Sequence, residues 1–469
     1  MPAPRVSIAP APVAVGLVVA AFTAFAPPIF SDGDTWMHIA AGQWMLNAGA
    51  AVQADPFSYT FAGRPWQAHE WLAEVLMALV WRAGGWNAVA LLFAAAAGAT
   101  AGLLTRHVGR WLNGLPLIGV VALGLGCVAP SLLARPHMLA LLCLELWTAE
   151  LVIARAEGRL PSWARLLPIM LVWANLHGSF LFGLGLLGVF GLEAIWQRRR
   201  EGVRALAPWA VLVAAATLAS LVSPYGLETL IFPLRLNGMR TLSGIGEWAA
   251  MNVAADPAFE TALLAGLFVL LWKRVRLPLL SLLLLLLLVD LSLRHVRHVL
   301  LFGVVAPLLI AQPLAEALGG AKAEPSRSPW IAAAGGLLAA LLVAARLAIP
   351  LVPADGAAAP GAALARVPAS LRGQPVFNAY PFGGYLIFSG VRPYIDSRAE
   401  LYGDAFLANY LKLHDDPAAL NGELAARRVA WAILEPGSRP AVLLGESPDW
   451  RRLYADRYAV VYARRTLGP

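Results

Sequence analysis

The sequence predicts a mainly α-helical protein: a polytopic transmembrane helical bundle of about eleven spans with a small C-terminal extracytoplasmic α/β domain. Composition, the spacing of apolar runs and the distribution of basic clusters predict this fold class. Of the 469 residues, 59% are hydrophobic and 14% are charged, whereas a soluble domain carries about 25% charged residues. Most of the chain is therefore expected to lie in a lipid bilayer.

The apolar runs predict where the chain crosses the bilayer. A helix needs roughly 20 apolar residues to span the hydrocarbon core, and somewhat shorter runs are tolerated. Runs of this kind occur throughout the first three quarters of the chain. They lie at 11–30, 86–104, 113–133, 136–154, 164–177, 178–197, 205–222, 259–272, 277–293, 298–315 and 329–351. The segment 70–81 is too short to span and is expected to lie at the membrane interface.

The basic residues predict the orientation of these spans. Cytoplasmic loops of membrane proteins are enriched in Lys and Arg, and a cytoplasmic N-terminus places the main basic clusters of this chain inside. These clusters are Arg106/Arg110, Arg155/Arg159/Arg165, Arg198/Arg199/Arg200/Arg204, Lys273/Arg274/Arg276 and Lys322/Arg327. An odd number of spans then exports the C-terminus. Because topology accounts for the net charge of +8, we expect membrane lipids as partners and no nucleic acid.

Two domains are predicted. Residues 1–352 form the transmembrane domain, which includes an extracytoplasmic loop at 31–70, and residues 353–469 form the exported α/β domain. Hydrophobicity falls after the Ala-, Gly- and Pro-rich linker at 353–363. Strand-like runs then alternate with helical patterns. The strand-like runs are 376–379, 394–396, 429–434 and 459–463, and the helical patterns are 404–413 and 417–427.

Polar residues gather on the predicted outward side of the membrane. Of the seven histidines in the transmembrane domain, six fall on this side: His38, His69, His137, His177, His295 and His298. Ionisable residues at membrane depth are energetically costly and usually mark functional sites. The sequence therefore predicts a functional site at the outward face.

Two acids follow the first span directly. Asp32 and Asp34 are two positions apart, and such a pair can act as a general base, ligate a divalent cation through oxygen or cap a helix. We predict both as candidate catalytic residues and as candidate ligands for Mg²⁺ or Mn²⁺, with the helix-capping alternative left open.

Other polar residues on this side are predicted to bind substrate. His69 and Glu70 suit a metal or a pyrophosphate-bearing lipid head, although the flanking tryptophans also suit a plain interfacial helix. Asp55 lies in an Asp-Pro turn, where ordinary turn formation is the competing explanation. The predicted substrate-binding residues are His38, Asp55, His69, Glu70, Asn175, His177, Tyr225 and Glu247.

Three outward arginines run against the inside-positive rule, so topology does not explain them. Arg135, Arg294 and Arg297 instead suit an anionic ligand, because the guanidinium fork matches phosphate oxygens. Together with His137 and His298, they are the predicted donor-phosphate site. A salt bridge between Asp290 and Arg294, one helical turn apart, is the alternative for one of the three.

Several motifs resemble those of bacterial multi-spanning proteins in the GT-C glycosyltransferase superfamily. In the transmembrane domain these are 32–39 (DGDTWMHI), 55–60 (DPFSYT), 69–72 (HEWL), 175–178 (NLHG) and 223–226 (SPYG). In the tail they are 383–386 (GGYL) and 395–404 (IDSRAELYGD). The resemblance extends over most of the chain.

The resemblance implies a membrane enzyme of the bacterial inner membrane that transfers a sugar from a polyprenyl-phosphate-linked donor. Its active site would face the periplasm or exterior, and the acceptor would be an extracytoplasmic glycan, lipid or protein. An acid in the first outward loop serves as base in this superfamily, sometimes with a divalent metal. That role falls here to Asp32 or Asp34.

Two other function classes are compatible with a membrane bundle. A glycolipid or polyprenyl-phosphate transporter would show internal repeats and polar residues continuing toward the cytoplasmic half, and the sequence has neither. A non-enzymatic scaffold for envelope polysaccharide assembly would use the exported domain to bind its partners.

Overall fold

The computed structural model describes residues 10–241, 248–254, 256–320 and 329–465. The transmembrane part is helical throughout. Its helices are α1 (Pro10–Phe25), α2 (Gly33–Ala48), α3 (Trp71–Val108), α4 (Gly114–Val128), α5 (Pro136–Ala156), α6 (Trp163–Leu176), α7 (Phe180–Gln197), α8 (Val203–Ser220), α9 (Glu228–Asn237), α10 (Pro257–Trp272), α11 (Leu279–Arg294), α12 (Val299–Ala317) and α13 (Pro329–Ala348).

Each predicted span coincides with a helix or with part of one. Seven of the described helices (α3, α4, α5, α7, α8, α12 and α13) are long and apolar enough to cross a membrane. Helices α1, α6 and α10 are shorter apolar helices of 14 to 16 residues. The mainly helical membrane fold is therefore confirmed, while the count of eleven spans and their orientation stay predictions.

Helix α3 contains a break between the predicted interfacial segment 70–81 and the predicted span that starts at residue 86. Gly84 and Gly85 leave the helical conformation, and Gly85 has a φ of 58°, in the region that favours glycine. The break separates 71–83 from the predicted span that starts at residue 86. The first part packs beside α2 and carries Glu74 toward that helix.

The centre of the bundle is α5, which is buried along most of its length and contacts α3, α6, α7 and α12. Its Glu145 pairs with His107 at 2.6 Å, and Glu193 of α7 pairs with Arg155 at 2.6 Å. Acids within apolar helices need such partners, because an unpaired charge at that depth is costly.

The tail forms a small mixed sheet surrounded by helices. Its helices are α14 (Gly361–Ala365), α15 (Ala369–Arg372), α16 (Gly383–Phe388), α17 (Ala399–Asp415), α18 (Pro417–Ala426) and α19 (Arg439–Glu446). Its strands are β1 (Val376–Asn378), β2 (Trp431–Leu434), β3 (Trp450–Ala455) and β4 (Val460–Arg464). The strand order is β1-β2-β4-β3, with β1 and β2 parallel and the other pairs antiparallel.

Two details of the tail differ from the prediction. The run 394–396 is not a strand, because the side chain of Asn378 bonds its backbone: Tyr394 N–H donates to Oδ1 at 2.8 Å, and Nδ2 donates to the Ile395 carbonyl at 2.8 Å. Strand β3 was not predicted, because two adjacent arginines interrupt the alternation of apolar and polar residues that marks strands.

The tail packs directly on the loop that follows α1. A Cβ on Gly384 of α16 would lie 2.2 Å from the carbonyl oxygen of Gly33, so the two backbones are in close contact. Arg398 bonds Asp55 at 2.7 Å, and Trp66 Nε1 donates to Glu400 at 2.9 Å. Distant parts of the chain thereby enclose a common space.

Candidate functional site

A cavity of about 380 Å³ lies between α2, the loop before α3, the start of α5 and the tail. Its lining contains most of the acids and bases predicted at the outward face. The charged and titratable residues are Asp32, Asp34, His38, His69, Glu70, Glu74, Arg135, His177, Arg297, Arg398 and Glu400. The structure thus brings side chains from across the sequence into one hollow.

Arg135 forms ion pairs with Asp32 and Asp34, the two acids that follow the first span. Its Nη1 lies 3.1 Å from Asp32 Oδ2, and its Nη2 lies 2.7 Å from Asp34 Oδ2. Asp32 also accepts from the Asp34 backbone N–H at 2.8 Å, as the N-cap of α2. The capping alternative therefore holds for Asp32. The pairing of both acids with Arg135 accounts for an arginine on the predicted outward side.

Glu70 is surrounded by imidazoles. Its Oε2 lies 3.5 Å from His38 Nε2, while its Oε1 lies 3.4 Å from His177 Nε2 and 3.7 Å from His69 Nε2. The far side of His38 bonds Glu74, with Nδ1 3.0 Å from Oε1. Burial raises the pKa of Glu70 to about 7, although the nearby His38 opposes the shift.

The hydrogen bonds fix the proton of His177. The backbone N–H of Ser179 donates to His177 Nδ1 at 3.1 Å, so this nitrogen is an acceptor. A neutral imidazole then carries its proton on Nε2, which is the atom that faces Glu70. His177 directly follows the last residue of α6, so the turn between α6 and α7 positions this ring.

A second cavity, of about 690 Å³, adjoins the first and extends among the helices. Its walls are largely apolar, with Leu141, Leu144, Phe182, Leu186 and Leu284 among the lining residues. Eight residues line both cavities: Asp32, His69, Glu70, Arg135, His177, Leu236, Trp248 and Arg297. The charged hollow therefore opens onto an apolar one.

The predicted phosphate residues divide into two groups. Arg297 lines both cavities and lies over the Trp248 ring at 4.1 Å, and His137 and His298 line the apolar cavity. Arg294 lines neither cavity. It pairs with Asp290 at 2.8 Å on an exposed surface, which is the salt bridge that the sequence offered as the alternative.

Three of the predicted substrate-binding residues lie outside both cavities, where they hold the scaffold. Asp55 binds Arg398 at 2.7 Å, and the Asn175 amide accepts from Trp71 and donates to the Val222 carbonyl. The Tyr225 hydroxyl accepts from a backbone N–H at 3.1 Å and donates to a carbonyl at 3.1 Å. Glu247 lies outside the described residues.

Sequence reasoning missed two kinds of residue at the site. Glu74 had a detectable signal, since it lies one helical turn after Glu70 and so presents a second acid on the same face. Ser397 and Glu400 line the cavity from the tail, and no local pattern could show that the tail folds back onto the first loop.

The predicted metal ligands, Asp32 and Asp34, lie in the charged cavity. Within the described ranges, no group of three or more His, Cys, Asp and Glu side chains is arranged to hold a metal ion. Asp32 and Asp34, the predicted ligands, both pair with Arg135. The divalent cation stays a prediction.

Comparison with solved structures then identifies the fold. ArnT from Cupriavidus metallidurans bound to undecaprenyl phosphate is similar over 98% of both chains, with a TM-score of 0.54 and 15% sequence identity. ArnT is a GT-C glycosyltransferase. The chain has the GT-C fold. The resemblance inferred from the sequence is confirmed at this level, and within this GT-C fold the charged cavity is closed by the tail.

Two further structures are similar to the GT-C fold of this chain at lower scores. ArnT from Cupriavidus metallidurans in the apo state has a TM-score of 0.42 with 16% identity over 97% of both chains. AglB from Archaeoglobus fulgidus, in complex with an inhibitory peptide and a dolichol-phosphate, has a TM-score of 0.43 and 11% identity, covering 98% of this chain and 74% of that one. No protein-family model and no curated protein matches the sequence.

Proposed function

We propose that the protein is a membrane glycosyltransferase that moves a sugar from a polyprenyl-phosphate-linked donor to an extracytoplasmic acceptor. The observation that carries this proposal is the junction of the two cavities. A lipid-linked sugar has an apolar tail and a charged, hydroxyl-rich head, and it needs an apolar hollow that adjoins a polar one. The fold shared with ArnT, whose structure contains undecaprenyl phosphate, supports the same donor class.

The donor phosphate belongs at the junction. Arg297 lies there with its guanidinium over Trp248, and Arg135 is nearby but already pairs with two carboxylates. His137 and His298 line the apolar side. A fixed cation beside the phosphate stabilises the negative charge that grows on it when its bond to the sugar breaks.

The acceptor enters from the charged cavity, whose outer wall is the tail domain. Its hydroxyl must lose a proton as it attacks the sugar, and five carboxylates of the described residues line this cavity: Asp32, Asp34, Glu70, Glu74 and Glu400. The sequence-based assignment of Asp32 or Asp34 as the base stays a prediction, as does a divalent cation held by that pair. The acceptor is a glycan, a lipid or a protein.

The membrane arrangement is part of the proposal. The basic loops support a bacterial inner-membrane protein with its N-terminus inside, about eleven spans over 1–352, and the 353–469 domain outside. The charged cavity would then face the periplasm or exterior, where polyprenyl-linked sugars are consumed.

The test is a donor panel. The full-length protein in lipid nanodiscs is incubated with a set of tritiated monosaccharides linked to undecaprenyl phosphate, with cell-envelope extract as acceptor. We expect one donor to be consumed, with release of undecaprenyl phosphate and movement of the label onto the acceptor fraction. Arg235→Gln is the matched control, because Arg235 pairs with Glu228 on the exposed side of α9 and neither residue lines a cavity.

Two outcomes contradict the proposal. If no donor in the panel is consumed, the protein is not a transferase of this class. If the label crosses the bilayer of a proteoliposome with its bond to the phosphate intact, the protein is a transporter instead.

A further inference from the structure

In the described part of the chain, five acids line the charged cavity, and they differ in what already binds them. Glu74 bonds His38 at 3.0 Å, and Glu400 accepts from Trp66 at 2.9 Å. Asp32 and Asp34 each present an oxygen to the guanidinium of Arg135, at 3.1 and 2.7 Å. Asp32 uses its other oxygen to cap α2. These contacts join the N-terminus of α2 to the N-terminus of α5. Protonation of Asp32 or Asp34 would weaken its ion pair with Arg135.

Among the residues that the structure describes, no guanidinium or ammonium group lies at hydrogen-bonding distance from Glu70. Three imidazole nitrogens lie 3.4 to 3.7 Å from its carboxylate oxygens, farther than the usual 2.7 to 3.2 Å of a hydrogen bond. It lines both cavities, so it lies at the junction where the donor head and the acceptor would meet. The titratable and charged groups around it are Asp34 and His38 of α2, the neighbouring His69, Glu74 of α3, Arg135 before α5 and His177 after α6.

We propose that Glu70 is the general base that takes the proton of the acceptor hydroxyl, with His38 and His177 positioning its two oxygens. This inference rests on the proposed function and names the residue that performs its proton transfer. Glu70 thereby takes the role that the sequence assigned to Asp32 or Asp34.

The acceptor oxygen forms a bond to the anomeric carbon of the sugar, and its proton passes to a carboxylate oxygen of Glu70. The bond between the anomeric carbon and the phosphate oxygen breaks, and its electron pair stays on the polyprenyl phosphate beside Arg297. Glu70 regains its charge when the proton leaves through the open cavity.

His38 is placed to share this proton. Its Nδ1 bonds Glu74 at 3.0 Å, and its Nε2 faces Glu70 at 3.5 Å. A carboxylate behind an imidazole fixes the tautomer of the ring and stabilises the imidazolium form. The His38 ring thus lies between the carboxylates of Glu74 and Glu70, and both carboxylates would stabilise a positive charge on it.

The environment also gives Glu70 suitable proton affinity. Burial raises its pKa to about 7, against the opposing effect of His38. An acid with a pKa near the working pH is an efficient general base, because it is partly ionised and still binds a proton well. A base of this kind contributes roughly 10² to 10⁴-fold to the rate.

The experiment measures the pH dependence of single-turnover transfer with the donor identified by the panel. Wild type is expected to gain activity as the pH rises through about 7, because only the ionised carboxylate accepts a proton. Glu70→Gln should lower the rate at least about 100-fold, flatten this profile, and leave the donor KM within about threefold. Asp34→Asn and Asp32→Asn should retain the wild-type profile, even if their rates fall.

A second variant, His38→Gln, tests the inference independently if the Glu70→Gln protein does not fold. His38→Gln removes a charge that lowers the pKa of Glu70, so the midpoint of the profile should move to higher pH. A Glu70→Gln protein that keeps the wild-type rate and profile overturns the inference, as does loss of the profile in Asp34→Asn alone or an unshifted midpoint in His38→Gln. If wild type consumes no donor, the proposed function itself fails.

Discussion

The guanidinium of Arg398 lies 2.7 Å from the carboxylate of Asp55, and the two residues are separated by 343 positions in the chain. Their side chains are 1% and 0% exposed. Arg398 also bonds Asp396 at 2.7 Å and lies over the Trp66 ring at 4.5 Å. This buried ion pair fastens the tail to the loop that carries the first acids of the charged cavity.

Removing this arginine should destabilise the protein severely. Arg398→Met leaves Asp55 and Asp396 charged and enclosed, and loss of one partner of a buried ion pair costs about 3–5 kcal/mol. Thermal unfolding in nanodiscs, followed by tryptophan fluorescence, measures the loss. Lys412→Met is the control within the same domain, because its exposed pair with Asp416 at 3.7 Å should contribute less than about 1 kcal/mol. Equal stability of the two variants would contradict the role of the buried pair.

The contact between α2 and α16 leaves no room for a side chain. Gly384→Ala would place a methyl carbon 2.2 Å from the Gly33 carbonyl oxygen, and such overpacking costs about 1–3 kcal/mol. Trypsin cleavage should then separate the tail from the membrane part at a lower protease concentration. Gly422→Ala is the matched control: no atom lies near its added carbon, and alanine in a helix stabilises by up to about 1 kcal/mol. A Gly384→Ala protein as resistant as wild type would show that the two helices move apart freely.

Donor affinity should depend on Arg297. Arg297→Gln removes one of the two arginines at the junction of the cavities. Hydrogen bonds to charged groups contribute about 1.5–3 kcal/mol, equivalent to about 10- to 100-fold in Kd. Isothermal titration with undecaprenyl phosphate in detergent measures the change, with Arg235→Gln as the surface control. Unchanged affinity in Arg297→Gln would move the phosphate site elsewhere.

Stability should respond to the ionisation of Glu70. Its folded-state pKa is raised from 4.5 to about 7, so the folded protein binds a proton that the unfolded chain releases between these values. Wild-type stability should therefore fall as the pH rises from about 4.5 to 7, by roughly 2 kcal/mol from this group. The difference in Tm between Glu70→Gln and wild type, followed across this range, isolates the effect. A constant difference would contradict the shifted pKa, and Asp290→Asn at the exposed surface serves as the control.

The helical membrane fold and much of the cavity could be predicted because their signals are local or cumulative. The length of an apolar run indicates a membrane span. Arginines on the predicted outward side, against the inside-positive rule, indicate an anionic ligand or an acidic partner, and Arg135 pairs with two aspartates. The partner of Asp55 could not be predicted. An Asp-Pro turn looks the same whether its carboxylate faces water or Arg398, and the difference depends on a contact between distant segments. The apolar cavity was missed for a related reason, since leucines that line a hollow and leucines that fill a core have the same pattern.

The contacts between loop 31–70 and the tail also bear on how the molecule is made. Thr60 Oγ1 donates to the carbonyl of Tyr394, 334 positions later, at 2.7 Å, and the Tyr59 hydroxyl donates to the Val376 carbonyl at 3.0 Å. During synthesis this loop leaves the ribosome long before the residues that cover it. A chain interrupted before the tail would lack one wall of the charged cavity. The charged cavity is therefore complete only after the tail has been made and has folded onto this loop.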